Sequence, residues 1–293
     1  LSSCDTNKAE KDYLTGIRKD FNLIKNDLSL VSTQKSTASS TKGQMNEVDK
    51  NVTAFKDLIE KVNAAQAVRK TIATSLSDKD VMALDAELDS FYTALKNLLN
   101  ENIPVLDFTK GIFKAVNRFE QAMALLSTNT ESIPALIQMM QDMNSNLKLV
   151  VMDLEDLNIP AGKKGLEEFR TVAVSEFKKL ITLVNDMISA LNNQDAYQMQ
   201  AVANRFDQWS SEFDKVYQKK LDETLTPELT ALEQRTNDLD GQRAKIEDKM
   251  ARLEGKFGIE VPTIDPKTDQ TETSGTPNPA ETQGGKVTKK VTL

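Results

Sequence analysis

An all-α fold is what this sequence predicts, specifically an elongated antiparallel helical bundle or coiled coil of about six helices with a disordered C-terminal tail. Three observations carry the prediction. Apolar residues recur at alternating spacings of three and four along most of the chain up to Phe257, the signature of a helix with one buried stripe. The 293 residues include only 8 prolines and 11 glycines, and four of those prolines lie beyond residue 260, so the body is nearly free of helix breakers. Apolar residues are 39% and charged residues 28% of the chain. That is a thin core for a compact ball and better suited to an elongated one.

The elements follow in order. Leu14, Ile17, Phe21, Ile24 and Leu28, then Val48, Val52, Phe55, Ile59 and Val62, read as one long helix over 8–70. The stretch Ser32 to Gly43 (STQKSTASSTKG) interrupts it with seven Ser or Thr, which lower helix propensity. It reads as a solvated helical stretch, or as a hinge or a polar surface where a partner docks. Ser77 ahead of Asp78 and Asp80 suits an N-cap with acids in the first turn, starting a helix over 78–102. Pro104 is expected to end or kink that helix, with another over 105–128. Ser132 followed by Ile133-Pro134 opens a helix over 133–158, whose eight core slots from Ile133 to Leu157 are all apolar. Asn158-Ile159-Pro160-Ala161-Gly162 is a loop. Helices over 163–192 and 195–256 complete the set, the last expected to be kinked rather than ended by Thr226-Pro227, since the heptad runs across it.

The first and last helices, about 60 residues each, would span roughly 90 Å at 1.5 Å per residue. An even number of up-and-down helices returns the chain to its starting end. These two are therefore expected to pair antiparallel, with Leu14 near Phe257 and Val62 near Phe206.

Composition excludes some chemistry. The chain has no His and one Cys, which removes the commonest general base and metal ligand, disulfides and CxxC redox motifs. A net charge of −7 argues against nucleic acid as a partner. Asp153, Glu155, Asp156 and Asn158 crowd one helix end, but without an EF-hand pattern. Lys163 and Lys164 just beyond are expected to compensate them. Asp85, Glu87 and Asp89 alternate by two and are expected to fan onto different faces. No GxSxG, Walker loop or GxGxxG occurs. No catalytic residue, metal ligand or cofactor is therefore expected, and the chain is read as not an enzyme. The methionines around Met139, Met140 and Met143, and Trp209, fall in or beside core slots and read as core filling.

The N-terminus carries an address. Leu1-Ser2-Ser3-Cys4 resembles the lipobox of bacterial lipoproteins, and the chain's only Cys is the one in that motif. The resemblance covers four residues. It implies an upstream signal peptide cut just before Cys4, a diacylglyceryl group on the Cys4 thiol, and acylation, typically with palmitate, of the new amino terminus. Asp5 resembles the residue that retains lipoproteins in the inner membrane of enteric-type bacteria.

The domain reading is a lipid-attachment site and tether (1–12), a helical body (13–258) and a Pro/Thr/Gly-rich tail (259–293) with disordered composition. The alternating end Lys286 to Leu293 reads as a frayed basic terminus, with strand addition to a partner sheet as the alternative. The expected role is a lipid-anchored extracytoplasmic spacer, scaffold or protein-interaction module, facing the periplasm or the exterior. Its partners would be the membrane through lipidated Cys4 and one or more proteins, with homo-oligomerisation through helical faces left open. The alternatives are a membrane-active helical protein similar in architecture to α-pore-forming toxins, and a ligand-sensing bundle.

Overall fold

The structure is a computed structural model that describes residues 7–33, 40–127 and 132–260. Among these residues there are six α-helices and no strand: α1 (Lys8–Thr33), α2 (Thr41–Ile72), α3 (Lys79–Ala124), α4 (Ile133–Glu155), α5 (Lys164–Asn192) and α6 (Ala196–Phe257). A single 3₁₀ turn follows α2 and another follows α3. The all-α prediction holds, and so does the helix count, but the partition differs at two places.

The expected first helix is a hairpin. α1 stops at Thr33 and α2 starts at Thr41, capped by the Ser40 hydroxyl, which accepts from Gly43 N–H at 3.1 Å. Residues 34–39, inside the Ser/Thr-rich stretch, lie outside the described residues. The readings of this stretch as a solvated helix, a hinge or a polar docking surface fall mostly on those residues. α1 and α2 lie side by side as an antiparallel pair, with Lys61 of α2 meeting Asp27 of α1. Folding back lets the stripes of α1 and α2 bury against each other and α3, which one straight helix could not do.

The opposite change occurs at Pro104. Helices expected over 78–102 and 105–128 are one 46-residue helix with Pro104 inside it. Proline removes one helical hydrogen bond, at a cost of about 3 kcal/mol. Leu98, Leu99, Val105, Leu106 and Phe108 are all buried around it, and that burial outweighs the loss. Two side chains also bond the local backbone, as Asn102 donates to Leu98 O and Thr109 donates to Val105 O. The start of α3 shifts by one residue too. Asp78, rather than Ser77, is the N-cap, accepting from Asp80 and Val81 N–H. At α4 the expected Ser132 cap is in place, and Pro227 sits inside α6 as expected.

Two hydrophobic cores lie in line. The first gathers α1, α2, the N-terminal half of α3 up to Leu106 and the C-terminal part of α6 from Leu239 to Phe257. The second gathers α3 from Phe108 onward, α4, α5 and the earlier part of α6 from Trp209 to Leu225. The body is thus two four-helix bundles end to end, sharing α3 and α6. Gly111 of α3 lies at the waist, where a Cβ would sit 2.1 Å from Leu157 Cδ2 and would push that side chain into another rotamer.

The pairing of α1 with the end of α6 holds: Leu14 and Phe257 share the first core, and Lys25 reaches Glu247 at 2.6 Å. The pairing of Val62 with Phe206 does not. Val62 belongs to the first core and Phe206 packs on the second, because α2 turns back toward the base instead of following α6. Trp209, Met139 and Met143 are buried as expected. The tail from residue 261 onward lies outside the described residues.

Candidate functional site

The expected lipidation residue Cys4 and sorting residue Asp5 lie outside the described residues, which begin at residue 7. The structure places the start of α1 at one end of the molecule, the base, next to the start of α3 and the end of α6. Four helices present charged side chains there, each for a local reason.

Glu10, in the first turn of α1, is buried. Its carboxylate accepts from Ser77 N–H at 3.0 Å, Ser77 Oγ at 2.8 Å and Asp78 N–H at 3.2 Å. Those donors sit at the start of α3, where free N–H groups favour an anion. The Ser77 bonds hold the Glu10 carboxyl below the usual 4.5 despite the opposing effect of burial. Arg18, two turns further along α1, grips Glu254 of α6 with both Nε and Nη2; the Nε contact is 2.7 Å, and Glu254 is 2% exposed. Such two-point guanidinium–carboxylate pairs fix orientation as well as distance.

Arg69 ends the α2 stripe and is 5% exposed. It donates to Asp85 at 2.6 Å and Asp89 at 2.5 Å, one turn apart on α3. Tyr13 of α1 donates to Asp85 at 2.6 Å, and Gln66 donates to Asp89 at 3.2 Å. Burial, then the Asp85 carboxylate, push the Tyr13 phenol well above its usual range. Burial opposes the charge on Arg69, but the bond to Asp85 reverses that and raises its proton affinity overall. At the rim, Lys256 bonds Asp78 at 2.7 Å and Asp80 at 3.0 Å. The Lys256 bond holds Asp78 low, and the Asp78 bond holds Lys256 high.

This arrangement corrects the expected scatter of acids on α3. Asp85 and Asp89 are four residues apart and share one guanidinium, while Glu87 faces elsewhere and takes Lys249 at 2.7 Å. The spacing of two hid the spacing of four. A signal was present, since Arg69 continues the series Val62 and Ala65 on the apolar stripe of α2, where a charge needs a partner. The acids at the end of α4 are also partnered differently from expectation. Asp153 takes Lys114 and Arg118, and Glu155 takes Lys178. Lys163 instead pairs with Glu228 of α6.

Among the described residues no group of acids or other metal-binding side chains is placed to hold a metal ion. Each carboxylate of the base network already faces a cation or a backbone donor. What the arrangement can do is mechanical: it pins α1 to α2, α3 and α6 at the end where the chain enters. A shallow groove along α5, lined by Thr171, Val174, Lys178 and Thr182, is open to solvent.

The Glu10 cluster makes a pH prediction. Its folded pKa is depressed, so the unfolded chain binds more protons between the two values and stability falls with acid there. The contribution is complete above pH 4.5 and is lost as pH drops through the folded value. Glu10→Gln is expected to cost on the order of 1 kcal/mol at neutral pH. The gap to wild type should then shrink below pH 4.5, read by urea midpoints between pH 7 and 3; a pH-independent gap would contradict the assignment.

No helix among the described residues is long and apolar enough to cross a membrane. No protein-family model, no curated protein and no solved structure matches this chain.

Proposed function

We propose that the chain is a lipid-anchored extracytoplasmic spacer or scaffold that holds a two-bundle body away from a bacterial membrane. The observation that carries this reading is the position of Leu1-Ser2-Ser3-Cys4, with the only Cys of the chain, just ahead of α1 at the base. Three residues separate Cys4 from Lys8, a tether of at most roughly 14 Å when extended. Acyl chains at Cys4 would hold the base at the bilayer; stable anchoring takes two or more chains, each adding about 0.8 kcal/mol per buried methylene. From there α6, with 62 residues, carries the far end roughly 90 Å away at 1.5 Å per residue.

The base network suits that task. A pull on Cys4 enters α1 first, and Glu10, Tyr13 and Arg18 pass it to α3 and α6, which run through both bundles. A tether without those contacts would peel α1 from the body.

The test uses the chain expressed with its own upstream segment. Wild type should fractionate with membranes and show the mass of a diacylglyceryl adduct plus an acyl chain at Cys4. Cys4→Ser should move it quantitatively to the soluble fraction. Asp5→Ser in a two-membrane host should change which membrane it occupies. An unmodified Cys4 in wild type extracted from native membranes would overturn the reading.

A further inference from the structure

The two helices that run through both bundles share a weak point. Three ion pairs fix the register of α3 against α6: Glu101 with Arg235 at 2.6 Å, Glu87 with Lys249 at 2.7 Å and Asp80 with Lys256 at 3.0 Å. Carried along the helices, that register sets Pro104 opposite residue 232 and leaves Pro227 five positions further on, about 7.5 Å. Both prolines therefore fall at the waist, between the two cores. Each removes one helical hydrogen bond, and proline is the usual cause of a helix bend. The polar side chains buried at this level act in the same direction. Asn102 donates to Leu98 O, Thr109 to Val105 O at 2.8 Å and Thr224 to Lys220 O at 2.6 Å. Hydroxyls bonded back to the preceding turn favour bending.

The two helices are covered unequally here. α6 is bare: none of its residues from Thr226 to Asp238 is buried. Its own backbone ladder, less one bond, carries it across, and a stretch with so little burial is where helices open first. α3 is covered by α2. Lys96 meets Asn63 at 3.1 Å and Lys110 meets Asp49 at 2.5 Å, a register that puts Phe55 of α2 opposite Pro104. Phe55, Val52 and Val48 are all buried. α2 continues about 20 Å past the proline to Thr41, whose hydroxyl donates to Glu120 at 3.0 Å. So α2 belongs to the first core but overlaps the second bundle. Its outermost ties to α3 are polar, and the Asp49–Lys110 pair is exposed on both sides, a kind of contact that holds weakly in water.

We infer that the body is a jointed rod: Pro104 and Pro227 form one joint, and the N-terminal half of α2 is the strap that holds it straight. With the strap seated, Val48 and Val52 tie the far part of α3 to the first bundle. With the strap lifted, two proline-weakened helices, one of them bare, join the bundles, and the second bundle tilts. A few residues at one level of a spanning element are enough to absorb such a motion. A bend at proline leaves the rest of each helix intact, so both cores stay folded. The device is independent of how the base is held.

Spin labels test this in the full chain carrying Cys4→Ser. One pair, Leu23→Cys on α1 and Thr171→Cys on α5, straddles the joint. A control pair, Thr171→Cys and Gln200→Cys, lies within the second bundle. Without further substitution the straddling pair should give one narrow distance distribution. Val48→Asp, which puts a charge under the strap, should at least double that width and leave the control pair unchanged. Adding Pro104→Ala and Pro227→Ala to Val48→Asp should restore the narrow distribution, because both helical ladders are then complete. Asp49→Lys opposes two cations at the exposed tie and leaves the apolar contacts alone; it should broaden the distribution less. A broad distribution before any strap substitution would overturn the inference. So would an unchanged width in Val48→Asp, broadening that survives the two alanines, or equal broadening of the control pair in both strap variants.

Discussion

Phe91→Ala is expected to destabilise the whole body, including the bundle that does not contain it. Phe91 is 1% exposed in the first core, with its ring 6.1 Å from Phe21 and 5.7 Å from Tyr92. Truncating a buried Phe costs about 3–5 kcal/mol in lost transfer energy and residual cavity, which at this size lowers Tm by about 10 °C. The sharper expectation concerns where the loss is seen. Trp209, the only Trp, is buried in the second core and stacks on Phe213 at 4.8 Å. Because α3 and α6 run unbroken through both cores, fraying one end exposes backbone that the other end must hold. Trp209 fluorescence and helical circular dichroism should therefore shift together. If the fluorescence transition stays at its wild-type midpoint while circular dichroism shows an earlier step, the two bundles unfold separately and the continuity of these helices carries no coupling.

Arg69→Met is the second large effect. The substitution keeps the aliphatic stem and removes the guanidinium that holds Asp85 and Asp89. Two carboxylates one turn apart on α3 then face each other, with Tyr13 and Gln66 as the remaining donors. Removing one partner of a buried pair costs about 3–5 kcal/mol. Asp89 is 45% exposed on its side chain, so water screens part of the loss and about 2–3 kcal/mol is expected. Adding Asp85→Asn and Asp89→Asn to Arg69→Met should recover part of it, since the stranded charges are gone. Urea midpoints of the wild type, the single and the triple variant decide this. A neutral single variant, or a triple variant weaker than the single, would show that Arg69 contributes packing and not a charge lock. The same variants bear on function: under the anchoring proposal, loosening this end should make α1 the first segment cut by protease in membrane-bound protein.

Most of the helices were legible in the sequence. The apolar stripe of α4, the Ser132 cap and the run across Pro227 are local properties, and they appear in the structure where they were legible, except that Ile133 at the head of the stripe is exposed.

What tertiary structure alone decided were the choices between continuing and turning. Pro104 looks like a stop and is not, because buried residues on both sides outweigh one lost hydrogen bond. The first 70 residues look like one interrupted helix and form two, α1 and α2, because these gain more by burying their stripes together than by staying in line. Pairings such as Arg69 with Asp85, and the parting of Val62 from Phe206, depend on which helices become neighbours. Helix formation is set over a few residues by propensity and capping. Neighbour choice is set by summed burial over dozens of residues far apart in the chain, and no local window contains that sum.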